Sequence, residues 1–184
     1  KIILPELIKT LKEITNNYEI LIVDAVKTID NTKEVLTYFN ANYINREIDN
    51  TYGSAIKTGI KFANGKFIII MDADGSHPPK MIKELWKYHN EYDIVIASRY
   101  VEKGNTENPF ILIFLSKILN IIYSIVLNIK CKDISNSFRL YKSQHLKKIN
   151  LISSNFEIVE EMLYKLIKKF PNIKIKEVPF TFKK

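Results

Sequence analysis

Only one cysteine occurs in the chain, Cys131, so neither an internal disulfide framework nor a cysteine-rich zinc site can be built. Arginine is almost as scarce. Arg46, Arg99 and Arg139 stand against 25 lysines. Proteins that read nucleic-acid bases lean on arginine, so no nucleic-acid partner is expected. The glycines number five. They form no Gly-x-Ser-x-Gly elbow and no Walker-type loop, which argues against serine-hydrolase and P-loop chemistry. The start, Lys1-Ile2-Ile3-Leu4-Pro5, has no initiator methionine and no secretory signal, and it reads as clipped upstream. Repeats and low-complexity linkers are missing too.

What is present is a globular composition. Hydrophobic residues make up 46% and charged residues 26%, which excludes disorder. A length of 184 residues favours one domain, 1–184, with a core of its own. The net charge of +8 is unevenly placed. Residues 1–100 hold 13 basic and 13 acidic side chains, whereas residues 101–184 hold 15 and 7. The basic excess therefore lies wholly in the second half and suggests a solvated or membrane-facing lysine surface.

Periodicity places the elements. Leu7, Ile8, Leu11 and Ile14 share a face of a helix over 5–14, with Pro5 in its first turn. Tyr18–Val23 reads as a buried strand ending at Asp24, and Asn42–Arg46 as a weaker one. Asp30-Asn31-Thr32 offers caps to an intervening helix. Gly53 opens a helix that Asn64-Gly65 closes. Lys66–Met71 is the clearest buried strand. Pro78-Pro79 starts the next helix, and Asp93–Ser98 is a further strand. This alternation predicts an α/β fold with a mainly parallel sheet flanked by helices.

The second half breaks the rhythm. Phe110–Ile129 is strongly apolar and barely long enough to span a bilayer. Lys117 lies inside it with Ser116, Asn120 and Ser124, and a central lysine is costly in lipid. An interfacial or protein-packed helix is the better reading. Ser137–Tyr141 reads as a short strand, Phe156–Phe170 as a helix, and Ile173–Phe182 as a late strand before the closing Lys183-Lys184.

The chemistry-bearing residues cluster at strand ends. Asp72-Ala73-Asp74 puts two carboxylates at the carboxyl edge of a buried strand, where parallel sheets form ligand crevices. Such carboxylates suit Mg²⁺ or Mn²⁺ and the phosphate oxygens those ions bridge. The plainer alternative is a polar turn in which Asp74 caps the next helix. Asp24 ends its strand in the same way and can accept hydrogen bonds from a base or ribose; a turn carboxylate is the alternative. Gly53 would bring helix N–H groups close to an anion. Arg99 and Arg139 are suited to bidentate phosphate contact, with surface ion pairs as the alternative. His77 adjoins the acidic turn. His89, His145 and Cys131 show no ligand spacing.

Taken in order, these segments resemble the GT-A glycosyltransferases of family 2, in particular the polyprenyl (dolichyl) phosphate mannose synthase group. The similarity runs through Tyr18–Asp24, Gly53-Ser54-Ala55 to Gly65, Met71-Asp-Ala-Asp-Gly-Ser-His-Pro-Pro79, Ile94–Tyr100, Asp133 with Ser137-Phe138-Arg139, Glu161–Tyr164 and Glu177–Phe182. The resemblance implies a GT-A fold whose first strand, preceding Leu4, is missing. It implies nucleotide-sugar contacts from Val23, Asp24, Gly53, Asp72, Ala73 and Asp74. Asp72 and Asp74 would hold the metal, and Asp74, Arg99 and Arg139 would serve catalysis. The implied donor is GDP-mannose or a UDP-sugar, and the acceptor a polyprenyl or dolichyl phosphate. The implied reaction is inverting hexosyl transfer at the cytoplasmic face of a membrane. Another sugar or acceptor, or a degenerate non-catalytic scaffold, are the alternatives. Thr51, Leu112 and Ser137 stand where the group has a glycine, a basic residue and a glycine.

Overall fold

The computed structural model describes residues 3–182; the termini read above at Lys1-Ile2 and Lys183-Lys184 lie outside the described residues. Helix α1 is Leu4–Lys12, with proline in its first turn as its fixed φ favours. Then follow β1 (Leu21–Asp24), α2 (Thr32–Leu36), β2 (Asn42–Asn45) and α3 (Tyr52–Phe62). Next come β3 (Phe67–Ile70), α4 (Met81–Trp86), β4 (Ile94–Ser98) and β5 (Asn105–Thr106). The second half adds α5 (Phe110–Val126), β6 (Arg139–Lys142), α6 (Ser143–Leu146), α7 (Ile158–Lys169), β7 (Ile175–Pro179) and β8 (Thr181–Phe182).

The alternation holds, but the sheet is less parallel than it suggested. β1 and β2 pair in parallel, Leu21 opposite Asn42. The larger sheet has the order β3-β6-β4-β7. In it β6 runs antiparallel to both β3 and β4, while β4 and β7 are parallel. The antiparallel strand comes from the second half, after α5, where the strand–helix rhythm no longer constrains direction. A small parallel pair, β5 with β8, forms its own sheet beyond the ends of β4 and β7.

Both faces of the larger sheet are covered, and the strand period shows how. Along β4, Ile94 and Ile96 join a core with α3 and α7 residues such as Ile60, Val159 and Met162. Val95 and Ala97 join the opposite core, with Leu4, Leu7, Met81 and Leu85 from α1 and α4. Ile94, Val95, Ile96 and Leu85 are fully buried, each branched side chain stabilising the fold by about 1.5–3 kcal/mol.

The smaller sheet does not join the larger one. Glu19 Oε1 accepts the N–H groups of Asn64 and Gly65 at 2.6 and 2.9 Å. That contact ties the starts of β1 and β3 together, so both strands run toward the edge carrying Asp24 and Asp72. Between them no ladder forms. A cleft of about 950 Å³ lies there, lined by Leu21 and Ile22 on one side, Phe67, Ile69 and Met71 on the other, and α1. β1 is therefore half-buried along its whole length rather than buried as its sequence suggested.

Helix α5 is 17 residues long, about 25 Å. Among the described residues no helix is long and apolar enough to cross a membrane. Pro109 precedes α5, and Asn128, at φ 52°, ends it in the left-handed region. Only Asn120 is buried; Phe110 is 82% and Ile125 73% exposed. A long apolar side-chain array thus faces outward.

Candidate active site at the carboxyl edge

The acidic turn follows β3 directly, so the strand fixes where its carboxylates emerge. Asp72 is braced from three directions. The Tyr52 hydroxyl donates to its Oδ1 and the Ser137 hydroxyl to its Oδ2, each at 3.2 Å. The backbone N–H of Asp72 donates to His77 Nδ1 at 3.0 Å. His77 is 2% exposed and stacks on Phe138 at 4.6 Å. Burial pushes its pKa below the ordinary value, so the ring is neutral, and its 3.8 Å approach to the Asp72 carboxylate is not an ion pair.

Asp74 is exposed, and its Oδ1 accepts the Ser76 N–H at 2.8 Å. Hydrogen bonds from Ser76 hold its carboxyl below the usual range, so it is ionised at neutral pH. Gly75, between them, takes φ +91°, the left-handed conformation that glycine adopts without cost. Ala73 is exposed at the mouth of the large cleft. Among the described residues no three acidic, histidine or cysteine side chains gather as a closed metal cage. One or two carboxylates do fit Mg²⁺ or Mn²⁺ sites in which phosphates and water complete the shell. Asp72 and Asp74 are the donors available.

Asp24 lies at the carboxyl end of β1. Its Oδ1 accepts the Ala25 N–H at 2.7 Å and its Oδ2 the Tyr43 hydroxyl at 2.8 Å. Each oxygen keeps a further lone pair. Val23 is half-buried against Gly59 of α3. Gly53 differs from the anion-cradle expectation. Its N–H donates to the Ser154 carbonyl at 2.6 Å, and an added Cβ would lie 2.5 Å from Ser153 O. Thr51 Oγ1 caps α3 by accepting the Ser54 N–H. The start of α3 is thus occupied by the 153–154 backbone. Phe156, from the same loop, stacks on Tyr52 with ring centroids 4.6 Å apart.

The two arginines diverge. Arg99 donates from its backbone N and Nε to Asp133 Oδ2, and from Nη2 to Asp133 Oδ1 and Ser135 Oγ, at 2.7–3.0 Å. Burial opposes its charge, but the bonds and charge of Asp133 outweigh that and hold it above its ordinary pKa. Arg139 is not where phosphate contact would need it. It is fully buried and donates to the carbonyls of Ile134 and Val159 and to the Tyr141 hydroxyl. β6 pleats it into the α7-side core, so its guanidinium presents no N–H to the carboxyl edge. Tyr52, which braces Asp72, and Asp133 and Asn120, which hold Arg99 directly or through Ser135, were not singled out as site residues from sequence. Asn120, inside an apolar helix and four residues from Ser116, is the signal that could have exposed the link to Arg99.

Comparison with known proteins agrees with this architecture. Residues 3–149 match the family model described as Glycosyl transferase family 2. A dolichol-phosphate mannosyltransferase of Pyrococcus furiosus is 34% identical over 174 residues, covering 90% of this chain and 48% of the relative. The Saccharomyces cerevisiae protein of the same name is 29% identical over 150 residues, 78% of this chain and 55% of the relative. The chain thus spans about half the length of these curated relatives. A solved glucosyl-3-phosphoglycerate synthase from Mycobacterium tuberculosis, in complex with Mn²⁺, UDP and phosphoglyceric acid, superposes with a TM-score of 0.72. It is 11% identical, with 97% of this chain and 63% of that one covered, so the likeness concerns the fold.

Proposed function

The chain belongs to glycosyl transferase family 2 and has its GT-A-like fold, and on that premise we propose that it transfers a hexose, mannose first, from a nucleotide sugar to a polyprenyl or dolichyl phosphate. The observation that carries this reading is the braced Asp72-Ala73-Asp74 turn at the carboxyl end of β3, with Asp24 at the carboxyl end of β1 in the neighbouring sheet. The similarity to dolichol-phosphate mannosyltransferases supports the choice of sugar and acceptor. The outward apolar face of α5 supports a peripheral position on a membrane.

In this reading Asp24 accepts hydrogen bonds from the nucleoside of GDP-mannose or a UDP-sugar. Asp72 and Asp74 would hold a divalent cation, Mg²⁺ or Mn²⁺, which would supply positive charge against that of the diphosphate. Tyr52 and Ser137 keep the Asp72 carboxylate from rotating, which preserves site geometry between turnovers. Arg99, held by Asp133, offers its remaining guanidinium N–H groups beside the site. A lipid phosphate is already an anion, so no dedicated base is required. Its oxygen forms a bond to the anomeric carbon as the bond to the nucleoside diphosphate breaks. The bonding pair leaves with the diphosphate, and the configuration inverts.

Titration calorimetry on the full-length polypeptide with GDP-mannose and UDP-sugars, with and without Mg²⁺ or Mn²⁺, tests this. Metal-dependent donor binding that Asp74→Ala removes, together with label transfer to a polyprenyl phosphate, is expected. No metal-dependent binding of any nucleotide sugar would sink the reading.

A further inference from the structure

Arg46, the third arginine, sits where β2 ends, and its backbone N–H donates to the Asp24 carbonyl at 3.0 Å. Its guanidinium pairs with no carboxylate among the described residues. Instead its Nη1 donates to two successive carbonyls, Asn50 O and, at 3.3 Å, Thr51 O. Asp49 Oδ1 accepts the Thr51 N–H at 2.9 Å and the Thr51 hydroxyl as well. The turn 49–52 that leads into α3 is thus held at Asp49, Asn50 and Thr51. From it two side chains reach the two sheets. Asn50 Oδ1 accepts the Val26 N–H at 2.8 Å, two residues beyond Asp24. The Tyr52 hydroxyl donates to Asp72 Oδ1 at 3.2 Å, and Phe156 backs the Tyr52 ring at 4.6 Å.

Asp24 and Asp72 belong to sheets that share no ladder. Glu19 fastens the starts of β1 and β3. At the carboxyl ends a continuous polar path joins them: Val26 to Asn50, Asn50 to Tyr52 along the turn, and Tyr52 to Asp72. A ligand that meets one of these carboxylates is indifferent to their separation. A ligand that meets both gains its second contact as an intramolecular event, so its affinity follows that separation. We propose that the turn 49–52 is a tie that sets the separation of Asp24 and Asp72, with Arg46 and Asn50 as positioning residues for a two-ended nucleotide-sugar donor, an inference that rests on the donor reading of those two carboxylates. Arg46 acts here through backbone carbonyls rather than by touching a phosphate.

Two measurements on the full chain test the tie. Double electron–electron resonance reads it with no ligand, from spin labels at Glu34→Cys in α2 and Glu84→Cys in α4, exposed positions over the smaller and the larger sheet. Cys131 is buried with its thiol pushed up to about 12, so it stays unlabelled. Arg46→Met and Asn50→Ala are each expected to broaden the label-to-label distance distribution, and an unchanged distribution in both would overturn the proposal. Calorimetry reads the consequence. With Mn²⁺, each variant should weaken GDP or UDP binding about fivefold, one hydrogen bond's worth. GMP and UMP without metal reach one end only and should stay within about twofold of the wild type. In a Tyr52→Phe background, Asn50→Ala should cost less than about a further twofold, because a path in series breaks once. Thermal melts confirm that the variants fold. An equal loss for the monophosphates would make Arg46 a phosphate ligand and overturn the tie, as would fully additive losses in the double variant. A wild type that binds no nucleotide removes the donor reading, while the distance distribution still decides the tie.

Discussion

Replacing Arg139 by methionine separates two accounts of this residue. Resemblance makes it a phosphate ligand; the structure makes it a strut between β6, the Ile134 turn and α7. Methionine fills a similar elongated space without N–H groups. Two buried carbonyls, Ile134 O and Val159 O, then lose donors. Orphaning the buried Ile134 O costs about 1–3 kcal/mol, and Val159 O, which keeps its helical donor in α7, loses about 0.5–1.5 more. Removing a fully buried charge returns part of this. A net loss of about 1–3 kcal/mol is expected, a fall in Tm of about 2–12 °C for a chain of this size. The assay is urea unfolding followed by circular dichroism, run beside donor-binding calorimetry below the new Tm. Donor affinity per folded molecule should be unchanged. Stability preserved within about 0.5 kcal/mol, with donor binding lost, would refute the strut account and place the guanidinium at the phosphates.

Gly53→Ala puts a Cβ 2.5–2.7 Å from the Ser153 and Ser154 backbone, so an overpacking loss of about 1–3 kcal/mol should exceed the helix-propensity gain; chemical denaturation reads it. Tyr52→Phe removes the hydroxyl bond to Asp72 but keeps the stack on Phe156. It should leave Tm within a few degrees while weakening metal-dependent donor binding about fivefold, about one hydrogen bond's worth, by calorimetry. Glu161 is opposed by burial, but Lys165 and the N–H groups of Ile152 and Ser153 hold its carboxyl down to about 2. The unfolded chain binds its proton near pH 4.5, so this stabilisation is present above that pH and is lost as pH falls toward 2. Glu161→Gln should therefore destabilise at pH 7 and flatten the acid limb of the stability curve. An unchanged limb would show that the contact is not formed in solution.

Much of the edge chemistry was legible because it depends on local sequence. An apolar run such as Phe67–Ile70 followed by Asp72 and Asp74 places carboxylates at a strand end by covalent geometry alone. Arg139 was misplaced because the pleat decides which face a strand residue takes, and the register of β6 is set by pairing with Ile70 and Ile96, far away in sequence. The antiparallel run of β6 was hidden for the same reason. Gly53 looked like an anion cradle until the 153–154 loop, a hundred residues on, took its N–H. Tyr52 gave no signal and Ser137 only a departure from the group's glycine, since a hydroxyl becomes a brace only when folding brings a carboxylate to it.

The cleft between β1 and β3 has a mechanical consequence. Asp24 rides on one sheet, and Asp72 with Asp74 on the other. No ladder of hydrogen bonds crosses between those plates; at their far end the Glu19 carboxylate pins them together. A molecule that reached both carboxylate groups would therefore span two sheets. The span between its two ends would be set by what occupies the cleft between β1 and β3.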